Sequence, residues 1–376
     1  MSRLLITDGT ELRVLDVHGG RASAMPPHAH GALANRQPVW SPDGARVAWS
    51  AFDRRHADSP AFVSVADASA RTRVDHPLVF PAFYLHWRPD NQAVAALGEG
   101  PLGLELTVID LDTGASEIRT RGAPLFFDWA PDGTLCANVG SGRDQRLELL
   151  PDQAAPDPFQ SLTPAAFTAP AWRNRDEVIV AVRSEGNRVL VAVDRRASVC
   201  RTYTITTGPI RFTSATTARR PRLAWVSGPM RDAGPAPGGG ARVAVPDQLV
   251  AHDLDTDTTE VVCDRSPIAF TWSPDGEKLL YCLPLERGEP PLLQWRVWSN
   301  GDNRSYARFR PSTTFARDYL PFAEQYARSS TWWSPDSDAF CYAGTDADGR
   351  SGVFIQTLDG RADRVASGHV AMWSPA

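Results

Sequence analysis

The chain has 376 residues, 42% of them hydrophobic and 22% charged, with a formal net charge of −5 and no acidic or basic block. These values belong to a globular chain able to bury a large core, and they argue against nucleic acid as a partner, which would call for a basic stripe. No apolar run approaches the roughly 18 residues of a membrane span, and the N-terminus carries no signal-peptide core, so the expectation is a cytoplasmic protein with no membrane partner.

Residue usage narrows the chemistry further. Lys278 is the single lysine and follows a turn, which disfavours a Schiff-base mechanism. The five cysteines (Cys136, Cys200, Cys263, Cys282 and Cys341) are odd in number and form no C-x-x-C pair. Neither a disulfide framework nor a thiolate zinc site is expected. The 31 prolines and 28 glycines suit many short strands joined by turns.

Taken along the chain, one unit recurs. Residues 3–7 and 11–16 read as two strands around Asp8-Gly9, the second and third strands of a unit lacking its first. A tryptophan followed by a Pro-Asp-Gly-type turn then appears at Trp40 (WSPDG), Trp87 (WRPDN), Trp129 (WAPDG), Trp272 (WSPDG) and Trp333 (WSPDS). A weaker copy stands at Trp172 (WRNRD), a degenerate one at Ser214, and a truncated one at Trp373. The copies are about 40 to about 60 residues apart, the period of a four-stranded propeller blade. In each copy an apolar strand ends in the tryptophan. Proline fixes φ, aspartate bonds back to the backbone, and glycine takes a positive φ before the second strand. A third, alternating strand, a short Asp-Thr-Gly-type turn and a fourth strand complete the unit.

This W-S-P-D-G repeat resembles the WD-like propeller repeat of TolB and of the propeller domains in prolyl-oligopeptidase relatives, over essentially the whole chain. The resemblance implies an all-β, closed β-propeller in a single domain, 1–376. Eight motif positions predict eight four-stranded blades, with seven as the alternative. The strand at 370–374 is expected to pair with the N-terminal strands and close the ring, removing exposed edges. The hydrolase domain of the prolyl-oligopeptidase relatives and its G-x-S-x-G motif are missing, as are phosphate-binding and dinucleotide fingerprints.

Long segments fall on one side of the repeat. The blade-to-blade connections 25–38, 75–81 and 310–330 and the strand 2–3 loops 52–60, 228–247 and 284–292 share one face, opposite the W-S-P-D-G turns. Loops on a rigid scaffold commonly carry function, so this loop-rich face is the expected working face. Segment 228–247 reads as a flexible loop. Segment 310–330 reads as an aromatic cap: Phe315, Tyr319, Phe322 and Tyr326 recur at helical spacing, and Pro321 marks a helix start.

Candidate site residues follow. Arg36, Tyr84, Phe126, Arg211 and Phe270 stand just before or within innermost strands. Together they make an aromatic and arginine pocket suited to an anionic or aromatic small molecule. Glu324, Tyr326 and Arg328 of the cap could reach the same mouth. Asp128, His86 and His369 are the catalytic candidates, Asp128 as a general base or as a bonded anchor between blades. His28, His30, His56 and His76 lie in same-face loops and could hold a divalent metal; no other cofactor is expected. The functional expectation is a non-catalytic propeller binding a small molecule or a protein partner on its loop-rich face. The alternative is an enzyme (a lyase, cyclase or metal-assisted hydrolase) with its site at the channel mouth.

Overall fold

A computed structural model describes residues 2–28, 33–53, 61–151, 157–165, 168–216, 218–235, 242–286, 288 and 290–375, with the backbone alone at 229–235 and 242–246. The turns dictate the architecture. At Trp40, Ser41 Oγ donates to Asp43 Oδ1 (2.6 Å), the same oxygen accepts the Ala45 N–H (2.9 Å), and Gly44 takes φ +67°. The copy at Trp272 repeats the arrangement through Ser273, Asp275 and Gly276, and the copy at Trp333 through Ser334 and Asp336. In that last copy Ser337 occupies the glycine position at φ +63°. Each such turn folds the chain into an antiparallel hairpin.

In six of the units a second aspartate turn joins the third and fourth strands. Asp110 accepts the N–H groups of Asp112 (3.2 Å) and Thr113 (2.8 Å), and Asp16, Asp67, Asp194, Asp253 and Asp346 do the same in their own units. The bonds from Thr113 hold the Asp110 carboxyl below the usual range.

Seven antiparallel sheets result among the described residues: five of four strands, one of three and one of seven. The first strands, innermost in their sheets, are Ala34–Trp40, Ala82–Trp87, Leu125–Trp129, Ala171–Trp172, Arg211–Ala215 and Ala269–Trp272. The N-terminal sheet takes its first strand from the other end of the chain: Val370–Trp373 pairs with Arg3–Thr7, Leu4 opposite Trp373 and Thr7 opposite Val370. The seven-stranded sheet joins two units because Asp302–Pro311 pairs onward with Ala339–Asp346, Phe309 opposite Asp346. The first strand of the second of these units shrinks to an isolated bridge, Trp333 with Phe340.

Five of the motif tryptophans tie their unit to the one before, while the Nε1 atoms of Trp272 and Trp373 are buried without a partner among the described residues. Indole Nε1 donates backward from Trp40 to Met372 O (3.1 Å), from Trp87 to Val39 O (3.4 Å), and from Trp129 to His86 O (3.3 Å). The pattern continues from Trp172 to Asp128 O (3.2 Å) and from Trp333 to Thr271 O (3.4 Å). At the copy without tryptophan, Thr216 Oγ1 donates instead to Trp172 O (2.6 Å). Trp49, Trp129 and Trp172 are fully buried between neighbouring sheets. An indole burying ~150–250 Å² at ~25 cal/mol per Å² contributes roughly 4–6 kcal/mol before the entropy of ordering is charged against it. The fold is a β-propeller.

Two segments depart from the sequence expectation. The strands run on into 228–247, to Pro235 and again from Arg242, with Met230 opposite Pro246 and Asp232 opposite Ala244; 236–241 lie outside the described residues. The ladder shifts register twice here, which accommodates the prolines and glycines that suggested an open loop. In 310–330 the helix α1 spans Thr313–Asp318, capped by Ser312 Oγ accepting Phe315 N–H (3.1 Å). It stops short of Pro321 rather than starting there, because a proline removes the N–H that would continue it and restricts the preceding residue. Pro321 opens a separate single turn, Leu320–Phe322.

Candidate functional site

The innermost strands converge on a channel, and segment 312–330 runs through it. The segment bonds to innermost strands of several sheets in turn. Ser312 Oγ donates to His369 O (2.6 Å), Glu324 pairs with Arg211, and Tyr326 stacks on Tyr84 with ring centroids 3.7 Å apart. Arg328 Nη2 donates to Trp172 O (2.7 Å) and Thr216 Oγ1 (3.1 Å) and lies 3.3 Å from Asp128 Oδ2. Thr331 Oγ1 donates to Trp373 O (2.5 Å). The expected cap is therefore a plug, lying within the channel and not over it. Its aromatic spacing reflects packing: Phe315 and Tyr319 join the core around Trp295 and Trp332, and Tyr326 joins the core around Phe127.

The plug divides the channel into three spaces. On the loop side, a pocket of about 200 Å³ holds Arg36 and His369 beside Arg317, Asp318 and Tyr319 of the plug. In the middle, a pocket of about 20 Å³ is lined by Tyr84, His86, Asp128, Glu324, Gln325 and Arg328. On the turn side, a chamber of about 470 Å³ opens among the motif prolines Pro42, Pro89, Pro274, Pro335 and Pro375. An innermost strand such as Ala34–Trp40 passes from the first space to the third, about 20 Å at ~3.3 Å per residue. Trp40, Trp87, Trp272, Trp332 and Trp333 also border the chamber, with their side chains largely buried between the sheets behind it. His86, Ser214 and Arg328 line both chamber and middle pocket, so they form the partition between them.

The residues singled out in the sequence fall as follows. Tyr84, Arg211, Glu324, Tyr326 and Arg328 do come together, but they hold one another. Tyr84 Oη lies 3.1 Å from Ser329 Oγ under the Tyr326 ring, and Arg211 divides its donors between Glu324 and the carbonyls of Pro267 and Ile268 (2.8 Å each). Phe270 is fully buried, 5.5 Å from the Arg211 guanidinium, and Phe126 is buried as well. Arg36 stands apart on the loop side, its guanidinium 5.5 Å from the Phe52 ring. His369 meets it there and uses its backbone N–H on Thr7 O (2.8 Å). Asp128 Oδ2 accepts the Trp172 N–H (2.8 Å), a link between adjacent sheets.

Burial sets the charge states in the partition. It pushes the His86 imidazole down to about 3, helped by the positive charge of Arg328, so His86 is neutral. Burial raises the Asp128 carboxyl against the opposing pull of Arg328, and raises Glu324 against that of Arg211. His86 Nδ1 is buried with no hydrogen-bond partner among the described residues. The metal candidates do not assemble among the described residues: His28 Nε2 lies 3.3 Å from Asp75 Oδ2 and its ring 4.8 Å from Phe62, His76 is buried, and His30 and His56 lie outside those residues. No group of three or more His, Cys, Asp or Glu side chains able to hold a metal occurs among them.

The turn-side chamber, with Trp332 and Ser330, was not expected from the sequence. Its signal was present in the motif prolines, one per repeat, whose convergence on one rim follows once the repeats are arranged around a channel.

No family model matches the chain, and no curated protein matches it. Among solved structures, a eukaryotic initiation factor is similar at 12% identity and TM-score 0.58, covering 100% of this chain and 98% of that one. The dihydro-haem d1 dehydrogenase NirN, in a complex with DHE, is similar at 12% identity and TM-score 0.58, covering 100% of this chain and 74% of that one. TolB from Acinetobacter baumannii is also similar, at 14% identity and TM-score 0.41, covering 81% and 63%. For the initiation factor and NirN, at 12% identity, the likeness is one of fold alone. No helix among the described residues is long and apolar enough to cross a membrane.

Proposed function

We propose that the chain is a non-catalytic binding propeller of eight blades, closed by the pairing of 370–373 with 3–7, and that its small-molecule site is the turn-side chamber. Eight units follow when the seven-stranded sheet is counted as two. The backward tryptophan bonds and the Val370–Trp373 strand support the closure. The observation that carries the binding role is the chamber itself. Its volume of about 470 Å³ lies inside the ~300–1,000 Å³ of small-molecule sites, and its lining is rich in proline and tryptophan with a few polar residues such as Ser214, Thr271 and Arg328. On the loop side of the channel, where the sequence pointed, the plug leaves a pocket of about 200 Å³, smaller than the turn-side chamber, so the ligand would enter from the turn side. Binding is favoured over lyase, cyclase or hydrolase chemistry because the ionisable side chains lining the chamber among the described residues are a neutral His86 and a cationic Arg328. That pair supplies no carboxylate base.

A crystallographic fragment screen tests this reading. Fragments should collect in the chamber and raise the melting temperature. Fragments confined to other surfaces, or turnover of a bound fragment, would overturn it.

A second reading, a protein partner on the loop-rich face, rests on the exposed apolar residues Val79, Phe83, Leu102, Leu285 and Phe322, all in segments of that face. A partner docking there would be lost on Val79→Asp and Leu102→Asp with the melting temperature unchanged.

A further inference from the structure

We infer that the chamber takes a flat aromatic body bearing a single carboxylate, with the carboxylate against Arg328 and the ring among the tryptophans. The inference rests on the chamber being the binding site and goes on to name the ligand's chemistry.

Charge makes the first selection. Among the described residues lining the chamber, Arg328 is the one charged side chain; no aspartate or glutamate lines it, and His86 is held neutral. A cationic ligand would meet one fixed positive charge and no counter-charge. A dianionic phosphate would meet a single guanidinium with no second cation. A monoanion matches.

The donors of Arg328 make the second selection. Its Nη2 is committed to Trp172 O and Thr216 Oγ1, leaving Nε and Nη1 without a partner among the described residues. Arg328 is the charged residue shared by chamber and middle pocket, while Asp128, its neighbour at 3.3 Å, lines the middle pocket and not the chamber. The carboxylate that balances Arg328 thus lies behind the partition, and burial already favours the protonated form of Asp128. A planar guanidinium matches a carboxylate in geometry as well as charge.

The walls make the third selection. Five proline rings line the chamber with buried tryptophans behind them, an apolar and rigid lining that suits a flat ring better than a flexible chain. The volume of about 470 Å³ accommodates a two-ring body with room for the ligand's hydration at the mouth.

The test uses the full chain and three probes with one ring system: 2-naphthoate, 2-naphthamide and 2-naphthylmethylammonium, titrated by calorimetry and by quenching of tryptophan fluorescence. The naphthoate should bind at least tenfold more tightly than the amide, and the ammonium most weakly. Arg328→Gln should erase the preference between naphthoate and amide while the amide affinity changes little. Because Arg328 also holds the plug, Arg328→Lys serves as a second variant: it keeps the charge, loses the planar fork, and should weaken naphthoate several-fold while leaving it ahead of the amide. If the amide or the ammonium binds as well as the naphthoate and still quenches the tryptophans, the carboxylate assignment is wrong and the chamber reading stands. If none of the three binds while other fragments bind outside the chamber, the chamber reading itself is wrong and the inference falls with it.

Discussion

Replacing either partner of the Arg211–Glu324 pair measures how firmly the plug is held. The Glu324 side chain is 2% exposed and that of Arg211 27%, so the two substitutions are unequal. Arg211→Ala strips the cation from a buried carboxylate whose Oε2 has no other partner among the described residues, and takes donors from Pro267 O and Ile268 O. Leaving one charge of a buried pair alone costs about 3–5 kcal/mol. Glu324→Ala leaves Arg211 with two carbonyls and partial contact with water, and should cost about 1–3 kcal/mol. The double variant should be less damaging than the sum by ~2 kcal/mol, since each single change already removes the pair. Denaturant unfolding followed by tryptophan fluorescence gives all three values. A pH series adds a sign. Burial raises the folded-state Glu324 carboxyl above its ordinary value, so the charged form is the disfavoured one. The Arg211→Ala penalty is therefore full above that raised value and shrinks as pH falls through it. Coupling below ~0.5 kcal/mol, or Glu324→Ala proving the worse of the two, would refute a plug pinned by this pair.

Three further outcomes are expected. Trp129→Ala should cost about 3–5 kcal/mol in denaturant unfolding, through the cavity left by a side chain 1% exposed and the loss of its bond to His86 O. Removing the residues from 369 onward should lower the melting temperature sharply, because Arg3–Thr7 loses its partner strand and the buried Met372 and Trp373 side chains disappear; a temperature equal to that of the parent would argue against closure. Asp16, Asp110 and Asp194 are held below the ordinary carboxylate range by backbone N–H groups, of Gly19, Thr113 and Ser198 respectively. The stability they contribute is present above the unfolded-state value of about 3.9 and is lost as pH falls through the depressed folded values. Urea midpoints from pH 7 to pH 2.5 should therefore decline less steeply in the triple Asp→Asn variant than in the parent.

The repeat was readable because its residues act locally. A Ser-Pro-Asp-Gly turn needs nothing beyond its own four residues, so the hairpins at Trp40, Trp272 and Trp333 could be placed from the motif. The pairing of 370–373 with 3–7 was readable for a related reason: one strand too many at one end and one too few at the other. Contacts between distant segments left no such mark. Glu324 and Arg211 are 113 residues apart, and nothing near either shows that they meet. Helical aromatic spacing in 310–330 signalled the burial of Phe315, Tyr319 and Tyr326 but not the exposure of Phe322 nor the depth of the segment, since an amphipathic pattern is the same over a propeller as inside one. The working face was inferred from loop length. Length says where chain is spent, and here part of it is spent on a segment that crosses the channel, with space left on both sides of it, about 200 Å³ on the loop side and about 470 Å³ on the side with the short turns. The weakest copies, at Trp172 and Ser214, keep their place in the sheet order because a two-residue strand and a threonine hydroxyl suffice to make the backward bond.

The strand Val370–Trp373 also sets a clock on biosynthesis. Arg3–Thr7 leaves the ribosome more than 360 residues before its inner neighbour. At about 5–20 residues per second the N-terminal sheet waits roughly 20–70 s with one ladder of backbone groups unpaired. During that interval the first unit is an open edge able to accept a strand from another nascent chain on the same message. Its own outer strand, Ala22–Ala24, is only three residues long and fully exposed, so little else steadies it. Co-translational crowding is thus the condition under which this edge is most exposed to intermolecular pairing, and slow, well-spaced initiation the condition that favours pairing of 370–373 with 3–7 of the same chain.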